Sequence, residues 1–317
     1  MKFREVIGKI RTFCAEKWSV VRPIVEPIIR ILYFPSTNPS LPKRWLINIG
    51  KIVAHIVFLF LLLIALVYFG AFGHLPSVVE LKNISNSNAS AIYSSDNVKL
   101  GHIYRQNRIS VDSLNISKHV VNALIATEDS RFFEHHGVDA QSTMRVIFKT
   151  LLLFDFSQGG GSTISQQLAK NLYPRKSLGI LTYPVAKIKE IIIAERLEEV
   201  YSKSEILNLY LNTVPFGENV YGIEAASQRF FSRKAKWLEP PAAATLVGML
   251  AANSAYNPRL HPEQSVQRRN VVLSRMAKAG FIDSTKLEKY QGTAADIASS
   301  ICLFGSSAIR NSCKHIP

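Results

Sequence analysis

The residues of this chain whose types and spacing suit chemistry gather in two segments, Glu128-Asp-Ser-Arg-Phe-Phe-Glu-His-His-Gly137 and Gly160-Gly-Ser-Thr-Ile-Ser-Gln-Gln-Leu-Ala-Lys-Asn171. In the first, Glu128 and Asp129 close a helical pattern, and the aromatic pair Phe132-Phe133 follows. A carboxylate at an element end beside apolar rings can have its pKa raised, which makes it a proton acceptor near neutrality. A solvated acidic pair at a helix terminus fits the same spacing. The second segment is a glycine-rich turn feeding a polar helix. It is not a nucleotide P-loop, because no Gly-Lys-Ser/Thr follows at the required distance. Its physics is related: glycines let backbone approach a ligand closely, and the N–H groups opening the next helix favour an anion. Thr163, Gln166 or Gln167, and Lys170 fall at i, i+3 or i+4, and i+7 and so share one face. Thr163 and Gln166 also fit an ordinary capping box. Together the segments predict a base next to a phosphate-bearing ligand.

Other charged residues are less decisive. Lys187, Lys189 and Glu190 open a long amphipathic helix and, taken alone, read as a solvated face. Ser202-x-x-Glu205 is a capping box in its own right, and spacing leaves open whether Glu205 also faces a cleft. No Cys/His spacing resembles a zinc site, so no metal-ligating residues are assigned. The neighbours His135 and His136 point apart on any regular element and read as packing and hydrogen-bonding groups. Three cysteines do not build a disulfide framework, although Cys302 and Cys313 share one tail and could pair.

The elements that must position these groups are mainly α-helical. A short β-hairpin is predicted from Ala91–Ser94 and Lys99–Arg105 around Asp96-Asn97. Helices are predicted ending at Glu128, over Ser142–Phe154, from Thr163 to about Asn171, over Lys187–Val200, and from Ser202 to near Asn212. Further helices follow at Gly222–Phe230, Pro241–Ala252 and Pro262–Ala279. The apolar run Val146–Phe154 is too short to span a bilayer; it suits either a core helix or a monotopic patch dipping into a leaflet.

Ile52 to Phe72 reads IVAHIVFLFLLLIALVYFGAF, with no formal charge. At about 1.5 Å per residue such a helix crosses a hydrocarbon core of roughly 30 Å. It is too long, and too far from the N-terminus, for a signal-peptide core. Residues 1–51 hold ten Lys or Arg (Lys2, Arg4, Lys9, Arg11, Lys17, Arg22, Arg30, Lys43, Arg44, Lys51) against Glu5, Glu16 and Glu26. That bias predicts the N-terminus inside and the remainder outside. The chain as a whole carries a formal net charge of +15. A basic outer surface suits anionic headgroups or a phosphorylated substrate. An extracytoplasmic location argues against nucleic acid. The expected organisation is a basic cytoplasmic segment at 1–51, a transmembrane helix at 52–72, a linker at 73–90, one domain at 91–290 and an atypical tail at 291–317.

These blocks closely resemble the peptidoglycan glycosyltransferases (glycosyltransferase family 51), the transglycosylase module of penicillin-binding proteins and their monofunctional relatives. The pattern E-D-x-x-F-x-x-H-x-G is matched by Glu128, Asp129, Phe132, His135 and Gly137. G-G-S-T-x-x-Q-Q-x-x-K-N is matched from Gly160 to Asn171. K-x-K-E and S-K-x-E-I-L-x-x-Y-L-N are matched between Lys187 and Asn212, and Gly217–Phe231 and Asn257-Pro258 also fit. The resemblance implies a lysozyme-like, mostly helical fold with a membrane-dipping jaw between the first two motifs, where Val146–Phe154 falls. It implies polymerisation of lipid II, a disaccharide-peptide on undecaprenyl pyrophosphate, into glycan strands at the bacterial cytoplasmic membrane. Glu128 would be the general base and Glu205 the second essential carboxylate. Asp129 and Phe132 would contribute to substrate binding. Ser162, Gln167, Lys170 and Asn171 would hold the donor diphosphate, with Mg²⁺ or Mn²⁺ as a further expectation and no organic cofactor. Lys189 and Glu190 would line the cleft. Partners would be lipid II, the growing glycan chain, the membrane and other cell-wall synthesis proteins.

The chain departs from the family pattern in one region. The family keeps an arginine some eight residues after the Lys170 equivalent, closely followed by Arg-Lys-x-Lys-Glu. Here Arg175 and Lys176 come earlier, Ser177–Pro184 is inserted, and Ala186 stands before Lys187. Both Arg175 and Lys176 are therefore candidates for the missing cation. The only Ser-x-x-Lys spacing, Ser40–Lys43, precedes the span, so no acyltransferase domain is expected. The altered arginine region also admits a second reading, a catalytically weak scaffold for cell-wall synthesis partners. A lytic glycosidase is a third.

Overall fold

The computed structural model of the chain describes residues 22, 23, 26, 41–82, 84, 90–93, 95, 96, 99–103, 107–145 and 161–292. Val146–Phe154, Gly159, Gly160, the tail from 293 and the three cysteines lie outside the described residues, so the expectations for the jaw, the tail and the Cys302–Cys313 pair do as well. The described residues fall into two units that divide between Leu75 and Pro76.

The first unit is built on one helix, α1 (Leu41–Tyr68). Pro42 sits in its first turn, where a missing N–H is harmless. At the other end, Gly70 adopts φ +80°. The Ala71 N–H reaches Leu66 O and the Gly70 N–H reaches Val67 O, both orphan carbonyls of the last turn. This glycine stop sets the end of the helix at Tyr68, so the apolar stretch long enough to cross a membrane is Ile47–Tyr68, displaced toward the N-terminus from 52–72.

The second unit is mainly helical. The predicted hairpin is present as β1 (Ser90–Tyr93) antiparallel to β2 (Lys99–Ile103), with Ser90 opposite Ile103 and a register shift at Ile92/Tyr93. A two-residue strand β3 (Asn107–Arg108) pairs in parallel with β4 (Val220–Tyr221). The helices are α2 (Val78–Leu81), α3 (Lys118–Glu128), α4 (Ile164–Leu172), α5 (Thr182–Val200), α6 (Lys203–Thr213), α7 (Ile223–Phe231), α8 (Pro240–Met249), α9 (Pro262–Lys278) and α10 (Ser284–Gly292). Residues 140–145 are helical too, the described part of the helix predicted from Ser142. The helix α10 has no counterpart in the sequence reading: its residues are not buried, so no apolar stripe announces it.

Two packed groups position the site. In one, the apolar helix α8 lies against α3 and α9. Val120, Ala123 and Leu124 of α3 are buried, as are Leu246 and Val247 of α8 and Val272 and Met276 of α9. Ser117 fixes the start of α3: its Oγ accepts from the His119 N–H at 3.3 Å and donates to Leu238 O at 2.7 Å. In the other group, α4 packs between α5 and α6. Leu168, Leu197 and Leu211 are wholly or almost wholly buried there.

The loop after α3 turns on Gly137. Its φ is +79°, and a Cβ there would come within 2.9 Å of Glu195 N and 3.0 Å of Ala194 C, both backbone. Gly137→Ala is therefore expected to destabilise the protein by at least about 1–3 kcal/mol from the backbone conformation alone, with the steric conflict added. Gly280→Ala is the control, since Gly280 has φ +77° but nothing within 4 Å of the added carbon. Melting of the detergent-solubilised variants checks it: Gly137→Ala should fall well below Gly280→Ala, and equal losses would refute the close approach to α5.

Candidate functional site

The carboxylate of Glu128 stands at the last residue of α3 and is fixed from the side by α4 and α6. Gln167 Nε2 donates to Glu128 Oε2 at 2.8 Å, and the Tyr210 hydroxyl donates to Gln167 Oε1 at 2.9 Å. Tyr210 is buried, and burial, seconded by the Glu128 carboxylate, pushes its phenol up. It therefore stays a proton donor, which orients the Gln167 amide with its NH₂ toward Glu128. Among the described residues, Glu128 Oε1 has no hydrogen-bond partner, leaving one oxygen for a ligand.

Two clefts meet at Glu128 and Ser162. The first, about 370 Å³, runs past Gln167, Lys170, Asn171, Arg175 and Glu190 to Tyr210 and Asn253. The second, about 400 Å³, runs past Ser130 and Ser142 to Arg145, Arg275 and Lys278. Arg275 also donates to Thr127 O at 2.8 Å, tying α9 to the carbonyl just before Glu128.

Of the two candidate cations, Arg175 is the one that lines the first cleft. Its Nε and a terminal nitrogen lie 2.9 and 2.8 Å from Glu190 Oε1, and its guanidinium lies 5.2 Å from the centre of the Tyr183 ring. Lys176 is exposed and does not line the cleft. Lys189 does not line it either: one turn of α5 puts Lys187 and Glu190 on one face and Lys189 on another. Lys187, to which sequence assigned no role, does not line the cleft but ties together three residues that do. Its Nζ reaches Ser162 Oγ at 2.6 Å, Gln166 Oε1 at 2.8 Å and Glu190 Oε2 at 3.6 Å. Burial lowers the pKa of this ammonium, while Glu190 works in the opposite direction. The i,i+3 spacing of Lys187 and Glu190 was the available signal. For Tyr210, burial on the α6 face opposite Gln167 was the deciding feature, and no spacing reveals that.

Several sequence-assigned roles change. The opening of α4 uses two of its N–H groups internally. The Ile164 N–H donates to Asp129 Oδ2 at 3.1 Å and the Gln166 N–H to Thr163 Oγ at 3.2 Å, while the Thr163 hydroxyl donates to Gly137 O at 2.6 Å. The reciprocal half of the Thr163/Gln166 capping box is missing because Gln166 turns to Lys187. Asp129 is buried, its other partner is His135 Nε2 at 3.0 Å, and it lines the second cleft, so it anchors α4 and the loop where they border that cleft. Phe132 is 0% exposed: its ring packs against Phe133 and His135 and carries Lys203 Nζ 4.4 Å above it, so it holds the core and lines neither cleft. Lys203 in turn pairs with the buried Glu198 at 2.7 Å. Gln167, expected on the diphosphate, lines the first cleft and also donates to Glu128.

Glu205 is not brought to this site. Its Oε2 accepts from the Ser202 N–H at 2.8 Å and from the Ser202 hydroxyl at 2.7 Å, and it is exposed on a separate groove with Asp112, Tyr201 and Asn208. The capping hydrogen bonds hold its carboxyl below the ordinary range. Five positions separate it from Tyr210 on α6, which turns the two to different faces. The carboxylate that joins Glu128 along the first cleft is Glu190, buried and ion-paired.

Among the described residues no three His, Cys, Asp or Glu side chains converge as metal ligands. The first cleft presents ammonium, guanidinium, amide and hydroxyl groups, and its one buried carboxylate is already taken by Arg175 and Lys187. Glu128 lines the same cleft with one oxygen free, so a divalent cation there would take most of its ligands from a diphosphate and water.

The match to known proteins follows the same region. A family model described as Transglycosylase matches residues 96–277. The chain is 38% identical over 233 residues to Penicillin-binding protein 1F of Bacillus subtilis, covering 74% of this chain and 32% of that protein. To Penicillin-binding protein 1A of Escherichia coli it is 39% identical over 217 residues, covering 68% of this chain and 25% of that protein. The chain thus matches only 25–32% of the length of these relatives. A crystal structure of Penicillin-Binding Protein 1A from Haemophilus influenzae aligns over 66% of this chain and 21% of that one, at 22% identity and a TM-score of 0.38, too loose a likeness to inform the fold.

Proposed function

The chain belongs to the transglycosylase family, and from that premise we propose that it is a membrane-anchored, lysozyme-like peptidoglycan glycosyltransferase that polymerises lipid II into glycan strands. The observation that carries this reading is the Glu128 carboxylate, held by Gln167 and Tyr210 where two cation-lined clefts meet. A reaction that joins two diphosphate-bearing sugars needs that layout: one base, and an anion-binding wall on each side of it.

In this reading the first cleft takes the donor and the second the acceptor. Glu128 accepts the proton of the acceptor's 4-hydroxyl as its oxygen attacks the donor's anomeric carbon. The new C–O bond forms on the face opposite the leaving group, inverting the centre. The bond from that carbon to the lipid diphosphate breaks, and the diphosphate leaves with the electron pair. Lys170 and Arg175 line the cleft where that negative charge grows, and preorganised charge there lowers the barrier. Lys187 holds Ser162 and Glu190 in place. A Mg²⁺ or Mn²⁺ ion would have to take its ligands from the diphosphate and water, so no step is routed through one. Ile47–Tyr68 would be the anchor, with residues 1–46 inside and the catalytic unit outside at the cytoplasmic membrane. Val146–Phe154 would be the membrane-dipping jaw, and other cell-wall synthesis proteins the partners. The scaffold reading rested on the altered arginine region, and Arg175 reaching Glu190 along the first cleft supports the enzyme over it.

The donor-side assignment is tested by titrating lipid II against Lys170→Ala. Loss of one exposed charge-assisted contact is expected to raise the half-saturating concentration roughly tenfold, with maximal rate changed less. A wild-type titration would remove Lys170 from the diphosphate site.

A further inference from the structure

The insertion that displaces the family arginine builds an unusual surface of its own. Within six positions, Leu178, Ile180, Leu181 and Tyr183 are all exposed, Ile180 at 97% and Tyr183 at 65%. Scattered exposed apolar residues are ordinary, but a contiguous cluster marks an interaction surface. The turn is built rather than frayed. Gly179, at φ +60°, opens the short 3-10 turn Gly179–Leu181, and the Leu178 N–H donates to Thr182 Oγ1 at 2.7 Å. The tip is thereby held with Ile180 outward.

The base of the turn is cationic. Lys176 is exposed, and Lys189 lies near it: the pKa of Lys189 is lowered first by burial and then by the Lys176 charge. An aliphatic tip, a tyrosine and two neighbouring ammonium groups are the profile of a segment that seats in a bilayer interface. Apolar side chains enter the acyl region, the tyrosine sits at headgroup depth, and the ammonium groups meet phosphates. The tip also projects from the surface, so it would enter a bilayer rather than receive a partner.

We propose that residues 178–183 form a second membrane contact, separate from the anchor helix, which seats the outer unit on a bilayer bearing anionic lipid. The seat is mechanically joined to the candidate site. Tyr183 stacks on Arg175, and Arg175 holds Glu190, so one segment carries both the bilayer contact and the cation of the donor cleft. Substrates presented from the membrane would then meet a cleft whose cation is ordered by the membrane itself. This rests on the reading of the outer unit as an enzyme of lipid-linked substrates, but its test uses no activity.

The test places a nitroxide at Ile180→Cys in the full chain with Cys14, Cys302 and Cys313 replaced by serine, reconstituted in phosphatidylglycerol–phosphatidylcholine vesicles. A second label at Lys234→Cys serves as the reference. The label at 180 is expected to lie about 5–10 Å below the phosphates, accessible to oxygen and protected from a water-soluble nickel chelate. Its depth should decrease in purely zwitterionic vesicles, where the two lysines lose their anionic partners. Water-like accessibility at 180, equal to that at 234, would overturn the proposal. Protection from both reagents with concentration-dependent dipolar broadening would also overturn it, since the turn would then be covered by a second copy of the chain. If the depth is as expected but lipid II is not polymerised, the membrane seat stands and the catalytic reading falls.

Discussion

Glu128→Gln is expected to abolish glycan-chain formation, slowing transfer by about 10²–10⁴-fold, the usual worth of a positioned general base. The amide keeps the volume of the carboxylate and can still meet Gln167 once either amide turns over. Folding and substrate binding should therefore persist, and the half-saturating lipid II concentration should change little. Tyr210→Phe is the informative companion. It removes the donor that orients Gln167, so it should slow transfer more modestly and leave the base in place. Single-turnover transfer with radiolabelled lipid II reads both. Unchanged chain formation in Glu128→Gln would remove it as the base, whatever its geometry.

Arg175→Ala should produce the second largest loss, about 10²-fold in kcat/KM, the order lost when one preorganised charge-stabilising contact is removed. Two contributions combine. The departing diphosphate loses a cation, and the buried Glu190 loses the guanidinium nitrogens at 2.8 and 2.9 Å, keeping only Lys187 at 3.6 Å. Arg175→Lys retains charge but not the planar two-nitrogen contact, so it should recover only part of the activity. Lys176→Ala should stay near wild type, because Lys176 is exposed and away from the cleft. A larger loss in Lys176→Ala than in Arg175→Ala would reverse the assignment.

The contrast between Arg175 and Lys176 shows what the sequence could and could not carry. Helices were readable wherever an apolar stripe met a cap, as at α3 with Ser117 and the Val120/Leu124 pair, or at α6 with the Ser202/Glu205 box. Motif spacing brought Glu128, Ser162, Lys170, Asn171 and Glu190 to one place, and the structure has them lining the joined clefts. It failed where a polar side chain had two equally good partners. Gln167 could face a ligand or a base, and a buried tyrosine from α6, far away in sequence, turns its NH₂ to the base while it lines the first cleft. Glu205 could cap or catalyse, and the local hydrogen bonds to Ser202 keep it a cap. Phe132 and Asp129 lie within the same short motif as Glu128, yet burial makes Phe132 a support for the loop, while Asp129 anchors α4 at the border of the second cleft. The start of α4 has a competitor that spacing does not show. Its N–H groups suit an anion, but the anion that takes one of them is the chain's own Asp129.

The most direct measurement is incubation of the detergent-solubilised full chain with labelled lipid II, followed by separation of products by size. A glycosyltransferase with Glu128 between a donor and an acceptor cleft is expected to yield a ladder of lengthening glycan strands with release of undecaprenyl pyrophosphate. Lipid II recovered intact, or cut to a free disaccharide-peptide with no strands formed, would contradict that account.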